Sequence, residues 1–367
     1  MRDDMRAHAR LLFAGLASFV LMGFGQSLFG PTLPEVTRLF SLGGGVAPWL
    51  ISALWVGSAT GVGLMYVLGD HVRPRHAIGM LFLGATGLTL QPGWAAMLLA
   101  ALVFGTGYGL ATATFNPRVL RAFGPRGASM LSLLNAAFAL GAIIAPLIFV
   151  ALGGVSALVF GITAAGCLLV WALAGERADP ARTAPPPPRP GYRVHWPSMG
   201  FGLVGIGIES CLIGLGPTAL IASGTTEPEA ARLLSAFFVA FLSARVVLGV
   251  MAHRVQPFTL YLAGMLWAVG SALVAALWAP GPAFVALGIS AGMFFPGFFV
   301  AASRKMGDDP RVTPVILSAG LVGGIGAPVV MGQVMQAAGP RGFFWILLAI
   351  AVPTALAALA LRRRMNG

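Results

Sequence analysis

The chain has 367 residues, of which 57% are hydrophobic and only 9% charged. Water-soluble domains carry about 25% charged residues, so this composition, with its mean hydropathy of +0.87, excludes a soluble globular enzyme and leaves an all-α polytopic membrane protein. The net charge of +12 would suggest nucleic acid in a soluble chain; here membrane topology accounts for it, and no nucleic-acid partner is expected.

Apolar runs of about 20 residues, each able to cross a hydrocarbon core of roughly 30 Å, are predicted at 11–33, 46–69, 76–92, 94–117, 128–151, 155–175, 197–221, 229–251, 258–279, 282–303, 312–337 and 342–361. The first follows MRDDMRAHAR and leads into GPTLPEV, not into a small-residue cleavage site, so it reads as a retained helix. Gln91-Pro92-Gly93 closes the short third span tightly. GTGYG at 105–109 imitates a phosphate loop, but it follows no strand and lies inside an apolar run, so it reads as close-packing glycine. Cys167 and Cys211 both fall inside apolar runs and suggest neither a disulfide framework nor a metal site. The five histidines are scattered without metal-ligand spacing. No metal, cofactor or catalytic constellation is expected.

Between spans six and seven lies GERADPARTAPPPPRPGYRVH. It is polar, basic and proline-rich, hence an extended, semi-rigid linker. The expected organisation is an N-terminal six-helix bundle (1–176), a cytoplasmic linker (177–195) and a C-terminal six-helix bundle (196–367). The halves resemble each other: GDHVRPRHAIGM (69–80) aligns with AHRVQPFTLYLAGM (252–265), GAIIAP (141–146) with GGIGAP (323–328), and GPTL (30–33) with GPTA (216–219). A tandem repeat of helical units points to a transporter whose two bundles rock about a central site. One chain carries both, so a monomer suffices.

With the N-terminus placed in the cytoplasm, nineteen Lys and Arg residues fall on the inner side and three, Arg38, Arg232 and Arg341, on the outer. That is a decisive positive-inside bias, with both termini cytoplasmic. Trp49, Trp94 and Trp278 at outer ends and Trp196 at an inner end suit an aromatic belt. Basic residues are almost all arginine, a composition suggesting a GC-rich bacterial genome and hence the bacterial cytoplasmic (inner) membrane.

At this point the sequence resembles the major facilitator superfamily. GDHVRPRHAIG after span 2 is similar to a degenerate copy of that family's cytoplasmic signature, with Asp70 and Arg75 in place but His71 and Arg73 where a basic residue and a glycine belong. Its counterpart after span 8 keeps Gly249 and Arg254 but has His253 in the acid's place. A closer resemblance, over nearly the whole chain, is to the fucose permease-like sugar:proton symporters. It is carried by LPEVTRLF, GTGYGLATATFNPRV, LLNAAFALGAIIAP, VGIGIES, FLSARVVLG, GMFFPGFF and GGIGAPVVMGQVMQAAG in order. Acids used by fucose permease for coupling and sugar binding align with Gly30 and Thr112, which carry no proton. Gly207-Ile208-Glu209 matches the G-x-E of many relatives. The resemblance therefore implies that any proton coupling falls on Glu209.

The residues themselves allow two readings at each position. Glu209 is the one acid at mid-span depth. An ionised group there costs about 3 kcal/mol on insertion scales. It serves either as the proton-coupling group or as a protonated hydrogen-bonding glue between helices. Arg245 is either its charge partner or a snorkelling gate residue. Gln26, Asn116 and Asn135 offer the donors and acceptors that a hydroxyl-rich ligand needs, or hold helices together; Thr112 is a weaker candidate. Trp55, Trp267 and Tyr108 lie mid-span, where aromatic faces either stack on a sugar ring or fill the core. Arg118 and Arg121, spaced to share a face, bind either an acidic group or lipid headgroups. Asp70, Arg75, Arg118, Arg245, His253 and Arg254 form the expected gate set.

The resulting expectation is a secondary transporter moving a small polar, sugar-like solute by alternating access, coupled to protons. The alternatives are proton-driven efflux of amphipathic, drug-like compounds, favoured by 24 Phe and 15 Met, and an organic-anion carrier. The expected partners are substrate, protons and membrane lipids.

Overall fold

The computed structural model describes residues 2–43, 45–68, 71–173, 191–251, 255–307, 309, 311–339 and 341–366. Twelve α-helices account for nearly all of them: α1 Arg2–Leu39, α2 Trp49–Leu68, α3 Pro74–Leu90, α4 Trp94–Phe123, α5 Gly127–Ala151, α6 Ser156–Leu173, α7 Trp196–Ala222, α8 Glu227–Met251, α9 Pro257–Leu277, α10 Pro280–Met306, α11 Val312–Ala337 and α12 Gly342–Asn366. Ten are long and apolar enough to cross a membrane; α2 contributes a shorter apolar stretch, Trp49–Met65. At 17 residues, α3 rises roughly 26 Å, just short of a hydrocarbon core.

Helix starts follow the chain chemistry. Pro74, Pro257 and Pro280 open α3, α9 and α10, where the missing N–H would have no intrahelical partner anyway. Gln91 ends α3 in the left-handed conformation, with its N–H on the Gly87 carbonyl. Several helices outrun the predicted spans. α1 continues through Pro31 and Pro34 to Leu39, and α4 through Pro117 to Phe123. Proline marks a boundary in soluble helices, but neighbouring membrane helices re-satisfy the freed backbone groups.

Contacts gather α1–α6 into one compact unit and α7–α12 into a second. Each repeats one pattern of pairing: α1 on α5 and α7 on α11, α2 on α4 and α8 on α10, α3 on α4 and α6, and α9 on α10 and α12. The repeat in sequence explains the repeat in packing. Gly141 of GAIIAP lies against the Val20 carbonyl of α1, and Gly323 of GGIGAP against the Leu203 carbonyl of α7. A Cβ at either glycine would overlap that carbonyl, so each pair approaches at backbone contact, the small-residue packing that drives helix association in lipid. The linker predicted at 177–195 falls mostly outside the described residues; Gly191–His195 lead into α7.

Candidate functional site

In the first unit, Tyr108, Thr112 and Asn116 fall at i, i+4 and i+8 on α4 and share a face. The Thr112 hydroxyl donates to the Tyr108 carbonyl at 3.0 Å, so part of its polarity is absorbed by its own helix. Trp55 of α2 meets Tyr108 edge-on with ring centroids 6.3 Å apart, and Tyr108 meets Phe138 of α5 at 6.2 Å and 83°. The structure thus brings two of the predicted aromatic residues together and adds Phe138, which the sequence reading missed. The signal for it was thin: Phe138 lies three residues after Asn135, one helical turn along the same face.

Gln26 on α1 is buried and its Oε1 has no hydrogen-bond partner among the described residues; Asn116 is half-buried and its Oδ1 is enclosed and likewise unpartnered. Asn135 differs: its side chain is exposed and donates to the Leu131 carbonyl of its own helix at 2.9 Å.

At the basic end of this unit, Arg118 is buried and its Nη2 donates to the Val72 carbonyl at 3.1 Å, fixing the chain just before α3. The guanidinium of Arg75 lies 4.3 Å over the Trp171 ring, a cation–π contact. Arg121 is exposed and donates to Pro117 of its own helix, so Arg118 and Arg121 part company despite their spacing. Asp70, His253 and Arg254 lie outside the described residues.

In the second unit, Glu209 stands at the midpoint of α7, a 27-residue helix. α7 is the most enclosed of the ten long spans, with 72% of its apolar window buried. Glu209 itself is partly exposed, yet its Oε2 is enclosed and has no hydrogen-bond partner among the described residues. Its neighbours hold α7 against α11. Gly207 leaves room for Ala327 and the Gly323 carbonyl, and the Ser210 hydroxyl donates to the Gly324 carbonyl at 3.2 Å. The glutamate's chain neighbours are thus fixed to α11, and its place on α7 is set by them. Arg245 of α8 stacks on Phe241, one turn earlier, at 4.2 Å and attracts Glu209 electrostatically. Trp267 is half exposed on α9, and its indole N–H donates to the Ala286 carbonyl of α10 at 3.0 Å. That bond satisfies its one polar atom within the helix pair.

The chain entering α7 is pinned to the turn before α11. Asp309, buried, accepts from the Arg311 guanidinium at 2.9 and 2.8 Å, from the Arg311 backbone N–H at 2.9 Å and from the Gly191 N–H at 3.2 Å. Those Arg311 bonds hold its carboxyl well below the usual carboxylate range. The same guanidinium lies 5.1 Å from the Tyr192 ring. His195, the N-cap of α7, shares a hydrogen bond with Ser198 Oγ at 2.8 Å. Partial burial, and then the charge of Lys305, lower its pKa. Among the described residues no cluster of His, Cys, Asp and Glu could hold a metal ion.

The sequence profile of the Major Facilitator Superfamily matches residues 15–315. A mouse protein, sodium-dependent glucose transporter 1A, is 31% identical over 140 residues, 36% of this chain; the match spans about a third (32%) of that protein's length. The crystal structure of a D-xylose–proton symporter superposes with a TM-score of 0.73 at 14% identity, covering 95% of this chain and 96% of that one. A peptide transporter solved in complex with sulfate gives a TM-score of 0.76 at 15% identity, covering 97% and 94%. At such identities the structures establish the fold alone.

Proposed function

This chain belongs to the Major Facilitator Superfamily, and we propose that it carries a small polar, sugar-like solute by alternating access, coupled to protons through Glu209. That it is an integral membrane transporter and not an enzyme follows from the family and the fold. The observation that carries the finer reading is Glu209 itself. A carboxyl at the midpoint of the most enclosed span, with one oxygen left without a partner among the described residues, is costly unless it is used. The α7–α11 contact at this level is made by its chain neighbour Ser210, which donates to Gly324.

The sugar-like class is supported by chemistry and by kinship. Gln26 and Asn116 keep enclosed amide oxygens unspent, and Trp55, Tyr108 and Phe138 supply ring faces and edges. Amides read hydroxyls, and aromatic faces suit the apolar side of a sugar. The curated relative is a glucose transporter and one fold neighbour a xylose symporter. The excess of basic residues in one set of loops supports an orientation with both termini in the cytoplasm, and the arginine-rich composition supports a bacterial inner membrane.

The test is uptake by reconstituted vesicles under an imposed pH gradient. The labelled panel holds neutral monosaccharides, nucleosides, dipeptides, organic acids and lipophilic cations. The expected result is gradient-driven accumulation of a monosaccharide, with Glu209→Gln retaining binding and exchange but losing accumulation. Accumulation by Glu209→Gln at the level of the wild type overturns the coupling role. Movement of lipophilic cations alone replaces sugar transport with efflux.

A further inference from the structure

Arg362, Arg363 and Arg364 lie near the C-terminus of α12, the last two in its final turn. Cations in a last turn are favourable to the helix dipole, and that alone would explain three exposed arginines. It does not explain the cleft beside them. Gln256, Leu359, Arg362, Arg363 and Asn366 line a cleft of about 580 Å³ within the second unit. No carboxylate is among these lining residues.

The cleft is built, not incidental. Asn366 Nδ2 donates to Thr259 Oγ1 in the first turn of α9 at 3.0 Å, and Met365 is buried, so the last turn of α12 is fixed against α9. Asn366 Oδ1 is enclosed without a hydrogen-bond partner among the described residues. On the α9 side the wall is a helix N-terminus. Gln256 is its N-cap, in extended conformation, and its side chain makes no cap bond. Pro257 has no N–H and the Thr259 and Leu260 N–H groups already bond the Gln256 carbonyl, so anion recognition here falls to the guanidinium forks of Arg362 and Arg363, which match the oxygens of a phosphate.

An apolar track leads out of the cleft. Val352, Leu356, Leu359 and Arg363 are spaced 4, 3 and 4 residues apart, one stripe along α12. The three apolar members are 39%, 62% and 54% exposed. A free phosphate has no use for such a stripe; a molecule with a phosphate head and a hydrocarbon tail does.

We infer that this cleft binds the phosphodiester headgroup of an anionic glycerophospholipid, with an acyl chain lying along Val352, Leu356 and Leu359. The bound lipid ties the end of α12 to the start of α9. The inference is independent of which solute is carried.

The test is native mass spectrometry of the purified full-length protein, offered dioleoylphosphatidylglycerol against dioleoylphosphatidylcholine, with inorganic phosphate as a separate competitor. The wild type is expected to retain phosphatidylglycerol preferentially. Arg362→Gln/Arg363→Gln should bind it roughly thirtyfold more weakly, from what two basic residues are worth at an anionic surface. Arg304→Gln/Lys305→Gln, with the same charge removed at the end of α10, should match the wild type. Leu359→Ser keeps both arginines and covers the case in which the arginine variant does not fold. It should lose retention of the long-chain lipid while binding its dihexanoyl analogue normally. Equal retention by the wild type and the arginine variant, unchanged long-chain retention by Leu359→Ser, or displacement by equimolar inorganic phosphate would each overturn the inference.

Discussion

The backbone N–H of Ser156 donates to Glu35 Oε2 at 2.7 Å, and the Ser156 hydroxyl accepts from Gln91 Nε2 at 2.6 Å. One serine at the first position of α6 thus joins the C-terminal end of α1 to the turn after α3. Glu35 supplies what the start of α6 lacks: an acceptor for an orphan N–H and a negative charge at the positive end of the helix dipole.

Glu35→Ala should therefore destabilise the protein by about 1 kcal/mol, the usual worth of a lost cap. Glu35→Gln should cost less, because it keeps an acceptor and loses only the charge. Thermal unfolding in detergent checks the order: wild type, then Gln, then Ala. Equal stability of all three would mean that water replaces the carboxylate without loss.

Two glycines of α11 give opposite expectations. A Cβ on Gly323 would overlap the Leu203 carbonyl, whereas a Cβ on Gly326 meets nothing within 4 Å. Gly323→Ala must push α11 off α7, with a loss of roughly 1–3 kcal/mol or failure to fold. Gly326→Ala removes only backbone freedom and should leave stability unchanged or raise it by up to about 1 kcal/mol. Size-exclusion profiles and thermal unfolding of the pair, purified in parallel, measure the difference. A well-behaved Gly323→Ala would show that the helices separate cheaply.

The glycine contrast also shows what was legible in the sequence. The GAIIAP and GGIGAP segments were legible as a repeat, but that their glycines pack α5 on α1 and α11 on α7 was seen only in the fold, because a repeat preserves register without naming the partner helix. The twelve helices were legible from apolar run length, though not the full extent of α1 and α4, since proline punctuates soluble helices more strongly than membrane ones. That Glu209 is the one acid at mid-span depth was legible from the sequence; its partial exposure was not. Bonds between distant segments were not. Nothing in LPEVTRLF says that Glu35 reaches a serine 121 positions away, and nothing in GDDPRV says that Asp309 receives Gly191. Trp267 was selected for its depth, but depth along a helix does not reveal which face is covered; its indole turned out to bond α10.

His195 predicts a pH dependence whose sign follows from its environment. Burial and Lys305 lower its folded-state pKa, so the unfolded chain takes up the proton first as pH falls. Its contribution is complete above the ordinary imidazole value of about 6.5 and is lost as pH drops through the lower folded value. His195→Asn keeps a competent N-cap but cannot titrate. The wild type should lose stability relative to His195→Asn as pH falls below the ordinary imidazole value of about 6.5, and the two should run parallel above that. Thermal unfolding across the pH series reads the gap; a gap that stays constant would assign the acid sensitivity elsewhere.

Gln26 and Asn116 offer a way to tell a ligand group from a structural one. Their enclosed amide oxygens have no hydrogen-bond partner among the described residues. A buried acceptor left unsatisfied costs about 1–3 kcal/mol. Replacing it with an apolar side chain of similar size relieves that cost when the partner is a transient ligand, and adds to it when the amide holds two helices together. Gln26→Met and Asn116→Leu should therefore unfold at or above the wild-type temperature while losing most of their affinity for the transported solute. Asn135→Leu is the comparison: its amide already donates to Leu131 and is exposed, so stability should change little. Isothermal titration alongside thermal unfolding separates the outcomes. A fall in stability together with unchanged affinity would return both amides to the role of helix glue, and the polar site of the first unit would have to be sought around Tyr108 instead.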